Sequence, residues 1–343
     1  MKTIIASFLL AIVWLTPASA QQACPQPQNF VCSPPTCADV TLATAPDPNT
    51  PNSNTVRIFL PDGYDPNDGT TRYPVLYLLH GAGDDFTRWS DNTDVFSFTR
   101  GKDLIVVMPN GGKNANAGWY SDWFDKSRFW ETFHITELVP YVDAHYNTAA
   151  DRRHRAIAGL SMGGFGAMHY AARHADLFGV AASFSGAVDM LYGFPLTGVI
   201  FGELHDMFGT PNDNVWGNQI TEEANWEANN PASLAGKLAN TTLFLATGDG
   251  VPGASTLSPL VGGPPSCEDP SNPAGYALEQ GIFQMNVSFL VHLAAAGVSV
   301  PTSHIWFYPG GLHSWPYWQA DLHWALPQIL DAIGDLDERQ LDD

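Results

Sequence analysis

The sequence predicts an α/β fold with a mainly parallel central sheet and helices on both faces, running as one unit from residue 56 to residue 335. Three observations lead there. Short β-branched or apolar runs alternate with longer amphipathic stretches. No internal repeat or linker interrupts that alternation. A glycine-bracketed serine stands where one of the apolar runs gives way to a helix.

The strand-like runs are 56–60, 74–79, 104–108, 155–158, 180–184, 241–246 and 304–308. Each is short and rich in Val, Ile, Leu, Phe or Ala, as expected of strands covered on both faces. Between them, 131–146, 162–174, 282–296 and 317–333 read as amphipathic helices. Residues 187–240 break the rhythm; they are aromatic and Gly/Asn-rich, and predict a partly helical insertion over the sheet edge. Residues 250–276 form a Gly/Pro/Ser-rich loop of a length that is often functional. The tail 336–343 is acidic.

The N-terminus reads as a targeting segment. Lys2 precedes the apolar run Ile4 to Leu15, and Ala18-Ser19-Ala20 gives small residues at the spacing of a cleavage site. Residues 1–20 are therefore expected to be a signal peptide cleaved near Ala20, with the remainder exported and not stably inserted in a membrane. Residues 21–55 predict a Cys/Pro-rich arm. Cys24, Cys32, Cys37 and Cys267 fit an oxidising compartment, and their spacing matches no common zinc pattern. Two disulfides are expected, at least one tying the arm to the loop that holds Cys267; the pairing itself stays open. With 35 acidic against 15 basic residues, the net charge of −20 argues against nucleic acid and anionic membrane surfaces as partners.

The strongest chemical signal is Gly159-Leu160-Ser161-Met162-Gly163 between the run ending at Ala158 and a helical stretch. A strand, a sharp glycine turn and a helix hold such a serine out at the end of a sheet, at a helix N-terminus. Ser161 is the candidate nucleophile. A hydroxyl needs a base, and His313 is the candidate: Pro309-Gly310-Gly311-Leu312-His313 is a glycine-rich turn directly after a strand. His292, His304 and His323 fall in helices or at a strand start, where catalytic groups of such sheets are not presented; His205 lies in the insertion. For the acid, Asp249 after the run 241–246 has the better local position, with Glu279 the alternative and Glu268 and Asp269 weaker. An oxyanion site needs backbone N–H donors. Met162 would supply one and the turn after Leu78-Leu79-His80 the other, from Ala82 or, in competition, Gly81. Trp119, Trp123, Trp315 and Trp318 are candidates to line a pocket. No sequence pattern implies a cofactor or a metal.

Taken together, residues 56–330 resemble the putative-esterase family of α/β-hydrolases, and within it the secreted mycolyltransferases and related esterases. The segments that carry the resemblance are Tyr77-Leu78-Leu79-His80-Gly81-Ala82-Gly83, Tyr120-Ser121-Asp122-Trp123 with Phe129-Trp130-Glu131-Thr132-Phe133, Gly159 to Gly164, and His313-Ser314-Trp315-Pro316-Tyr317-Trp318. The resemblance implies the α/β-hydrolase fold. It moves the acid to Glu279, because similar members use a Leu-Glu pair about ten residues before a helical Phe, here Leu278-Glu279 and Phe289. It also implies Ala82 and Met162 as oxyanion donors and Trp315 beside the acceptor pocket. Trehalose-using members carry Asp or Asn in place of His80 and an Arg where Gly83-Asp84-Asp85 stands, positions that help to bind the sugar. The expected activity is thus a secreted serine carboxylic-ester hydrolase acting on a small-molecule, lipid or carbohydrate ester. The alternatives are an acyltransferase working through the same acyl-enzyme, and a binding protein with a vestigial site.

Overall fold

Eight short segments pair into one sheet because most of them can bury both faces. In a computed structural model describing residue 24 and residues 28–192, 212–254 and 267–334, they are β1 (Cys37–Thr41), β2 (Thr55–Phe59), β3 (Val75–Leu79), β4 (Ile105–Pro109), β5 (Arg155–Leu160), β6 (Val180–Phe184), β7 (Thr242–Gly248) and β8 (Ile305–Tyr308). Their order is β1-β2-β4-β3-β5-β6-β7-β8. The pairs β1·β2 and β2·β4 are antiparallel and the rest parallel. The proposed signal peptide and its cleavage site, residues 193–211 with His205, residues 255–266 and the acidic tail lie outside the described residues.

Alternate residues along each strand feed two cores. On one face Val75, Tyr77, Leu79 and Ile157 pack with Phe165 and Met168 of α5 (Met162–Arg173) and with Ile282, Met285 and Phe289 of α8 (Pro273–Ala295). On the other, Leu76, Leu78, Ala156, Ala158 and Phe184 pack with Trp89 of α1 (Arg88–Asn92), Val95 of α2 (Val95–Thr99) and Leu322, Leu326 and Ile329 of α9 (Trp315–Ile333). Two short helices, α3 (Trp130–Thr132) and α4 (Val139–His145), are joined by the π-helical turn Phe133–Leu138; α6 (Asn212–Trp216) and α7 (Glu223–Asn229) fall within residues 187–240. Every strand read from the sequence forms. β1 is additional: it lies in the arm, is short and half polar, and therefore carries no apolar signal. It is held to β2 by the Arg57–Asp39 ion pair at 2.7 Å, and the Cys32–Cys37 disulfide closes the turn that leads into it. The second disulfide, Cys24–Cys267, ties the arm to the loop before α8 across 243 residues of sequence.

Candidate active site

The parallel order puts a crevice between β3 and β5, where the chain leaves β3 towards β4 on one side and β5 towards β6 on the other. Loops from the carboxyl ends of strands meet at such a switch point. Ser161 follows β5 there with φ +53° and ψ −118°. A serine in that conformation is strained by about 1–3 kcal/mol, and its neighbours explain how it persists. Its N–H donates to the Phe184 carbonyl at 3.0 Å, while its own carbonyl accepts from Phe165 N–H at 3.1 Å. The flanking glycines are required by space. A Cβ on Gly159 would lie 2.4 Å from the Gly163 backbone, and one on Gly163 would lie 2.5 Å from the Leu79 carbonyl oxygen.

His313 reaches Ser161 from the loop between β8 and α9. Its Nε2 lies 2.9 Å from Ser161 Oγ and its Nδ1 lies 2.7 Å from Glu279 Oε2. With Nδ1–H donating to the carboxylate, Nε2 is left free to accept the serine proton. Glu279, in the second turn of α8, is buried, and its other oxygen accepts three hydrogen bonds: Ser185 Oγ at 2.7 Å, Thr247 Oγ1 at 3.0 Å and Gly248 N–H at 2.9 Å. Because both nitrogens of His313 are taken, Asp249, Glu268 and Asp269 have no place on it. Asp249 instead accepts from Gly310 N–H at 2.7 Å and Val251 N–H at 2.9 Å. It pins the turn that carries His313 and does not touch the imidazole. Of the other histidines, His323 pairs with Asp94 at 2.8 Å and His292 faces Asp189 at 3.9 Å.

Ala82, Gly81, Ser161, His313, Trp315 and Trp318 are among the residues lining a cavity of about 300 Å³. Met162 is the first residue of α5, where a backbone N–H has no partner within the helix; its side chain is buried. Trp315 stands edge-on to Trp89 and Trp318, and Trp318 edge-on to His313, forming an aromatic wall on one side of the cavity. Trp119 and Trp123 are core residues, packed in the cluster beneath α5. The sequence reading missed the donors around Glu279. Ser185 and Thr247 end adjacent strands, and only the pairing of β6 with β7 brings them together.

It also missed Asp84, which lines the cavity. Asp84 Oδ2 and Ser161 Cβ lie 3.2 and 3.5 Å from one point, where a Cβ on Gly81 would be. Burial pushes the Asp84 carboxyl up to about 7, against the opposing pull of Arg88. A carboxyl whose folded value is raised gives stability that is present at low pH and lost as pH rises towards the folded value. Asp84→Asn removes that titration. The variant should match the wild type near pH 4 and exceed it by up to about 4 kcal/mol near pH 8, measured by urea unfolding. Equal stabilities at both pH values would contradict the assignment.

Comparison with known proteins identifies the family and the fold. Residues 48–250 match the family model described as putative esterase. An esterase of Mycobacterium tuberculosis is 39% identical over 198 residues, 56% of this chain and 42% of its own length. The chain therefore spans less than half of the first curated relatives it matches. The diacylglycerol acyltransferase/mycolyltransferase Ag85B of Mycobacterium leprae is 31% identical over 285 residues, 78% of each protein. Among solved structures, MPT51 of Mycobacterium tuberculosis superposes with a TM-score of 0.62 at 25% identity, covering 86% of this chain and 99% of that one. A ferulic acid esterase superposes at 0.58 with 24% identity, covering 86% and 98%, a likeness of fold. With its α/β-hydrolase sheet and these matches, the chain belongs to the putative esterase family.

Proposed function

We propose that the protein is an exported serine carboxylic-ester hydrolase. The observation that carries the reading is the position of His313, within hydrogen-bond reach of Ser161 on one side and of Glu279 on the other. Ser161 Oγ attacks the ester carbonyl as its proton passes to His313 Nε2. Negative charge develops on the carbonyl oxygen, where the N–H groups of Ala82 and Met162 receive it. The tetrahedral adduct collapses, His313 returns the proton to the departing alcohol, and an acyl-serine remains. Water, deprotonated by His313, repeats the sequence and frees the acid. Glu279 keeps the imidazole in the tautomer this needs and offsets the charge of the imidazolium. Export is supported by the N-terminal sequence and the two disulfides. No helix among the described residues is long and apolar enough to cross a membrane.

Acyl transfer to a hydroxyl is the second reading, favoured by the similarity to Ag85B over most of both chains. The surroundings of His80 weigh against trehalose as the acceptor. The side chain is buried and both ring nitrogens are engaged, leaving it no hydrogen bond for a sugar. A short-chain p-nitrophenyl ester offered with and without glycerol or trehalose separates the readings. Release of free acid in all three mixtures is the expected result. Acyl-glycerol or acyl-trehalose as the main product would replace hydrolysis with transfer, and no turnover at all would remove both.

A further inference from the structure

The oxyanion donor assigned to Ala82 belongs to the peptide unit joining Gly81 and Ala82, and in a trans peptide the C=O and N–H point in opposite directions. Whatever fixes the Gly81 carbonyl therefore aims the Ala82 N–H. That carbonyl lies 2.8 Å from His80 Nδ1 and accepts from Asp84 N–H at 3.2 Å. The other ring nitrogen, Nε2, accepts from Gly111 N–H at 2.8 Å. An imidazole that accepts at Nε2 must carry its proton on Nδ1, so Nδ1–H is the donor to Gly81.

The backbone on either side of the ring is held as well. The His80 carbonyl accepts from the Tyr120 hydroxyl at 3.0 Å, and the Ala82 carbonyl accepts from Asn114 N–H at 2.8 Å. Asn110, next to Gly111, has its carbonyl 2.9 Å from His134 Nε2. Trp119 and Tyr120 both have positive φ, at 50° and 46°, so the segment behind the ring is kept in an unfavourable backbone conformation. Burial holds His80 down to about 4 and His134 likewise, so both stay neutral above that range.

We propose that His80 is a positioning residue: a neutral imidazole, protonated on Nδ1, that locks the Gly81 carbonyl and thereby turns the Ala82 N–H towards the oxyanion. The proposal rests on the reading of Ala82 as an oxyanion donor. Its contribution is realised in the transition state, because the ring touches neither substrate nor nucleophile.

Two isosteres divide the ring's functions. In His80→Asn the side-chain amide can stand where Nδ1 stood and still donate to Gly81. In His80→Gln the amide oxygen can stand where Nε2 stood and accept from Gly111, with the donor to Gly81 gone. Expected are kcat within about tenfold of wild type for Asn and a fall of about 10²–10³ for Gln, with KM changed less than about threefold in both. Binding of a trifluoromethyl ketone, which forms an oxyanion on Ser161, should weaken in parallel with kcat. If the His80 variants do not fold, Tyr120→Phe removes only the hydroxyl on the His80 carbonyl and should lower kcat about tenfold at constant KM. Equal kcat for Asn and Gln, or losses that follow Tm and leave ketone affinity unchanged, would overturn the proposal. Fluorophosphonate labelling separates the two levels. A wild type that is not labelled at Ser161 sinks the reading of the site; normal labelling with equal variants sinks the role of His80 alone.

Discussion

Ser161→Ala should lower kcat/KM for a short-chain aryl ester by about 10⁴–10⁶, with the fold and Tm near those of the wild type. The loss is large because everything else at the site serves that oxygen. His313 Nε2 has no proton to accept without it, and the proposed oxyanion donors, the N–H groups of Ala82 and Met162, have no covalent adduct to stabilise. The strain at φ +53° remains in the variant, since Ala pays the same conformational penalty as Ser. Stability is therefore expected to move by less than about 1 kcal/mol. Initial rates under excess ester, with thermal unfolding of the same preparations, check both halves. Activity within tenfold of wild type would place the nucleophile elsewhere.

Glu279→Gln should cost about 10⁴ in kcat, and Asp249→Asn less than about tenfold. The two carboxylates stand in different roles. Glu279 accepts from four donors, His313 Nδ1–H among them. An amide in that ring turns an N–H₂ group towards at least one donor, and the most adaptable response is for His313 to switch tautomer. Nε2 then carries the proton and can no longer take one from Ser161. Among the described residues Asp249 accepts from the backbone N–H groups of Gly310 and Val251. The carbonyl oxygen of Asn can accept from Gly310 in the same place, so the turn before His313 keeps its anchor. Steady-state kinetics of both variants on one substrate decide the matter, and a larger loss in Asp249→Asn would exchange the two roles.

The contrast between these acids shows what the sequence could and could not reveal. Ser161 and His313 were legible as candidates because their positions are local. Each follows a strand directly in a glycine-rich turn, and the steric need for Gly159 and Gly163 is written into five consecutive residues. The sheet was legible for the same reason, since β2 to β7 are apolar runs buried almost throughout. Glu279 was not legible from its own surroundings. It sits inside α8, and its fitness as the proposed acid depends on donors contributed by Ser185 at the end of β6 and by Thr247 and Gly248 at the end of β7. Asp249 had the better local address, and only the family resemblance moved the choice. β1 was invisible because an edge strand needs few apolar residues when an ion pair and a disulfide hold it. His80 read as a missing sugar contact. Its place as a clamp depends on Gly111, 31 positions away in sequence and adjacent only after folding.

In the proposed reaction Ser161, activated by His313 and Glu279, forms the acyl-enzyme. The most direct test is covalent: the wild type, Ser161→Ala and Glu279→Gln are each treated with a fluorophosphonate, and the adduct is located by peptide mass spectrometry with its rate of formation. One adduct per chain on Ser161 is predicted, absent in Ser161→Ala and formed orders of magnitude more slowly in Glu279→Gln. An adduct on another residue, or an equal labelling rate in Glu279→Gln, would contradict it.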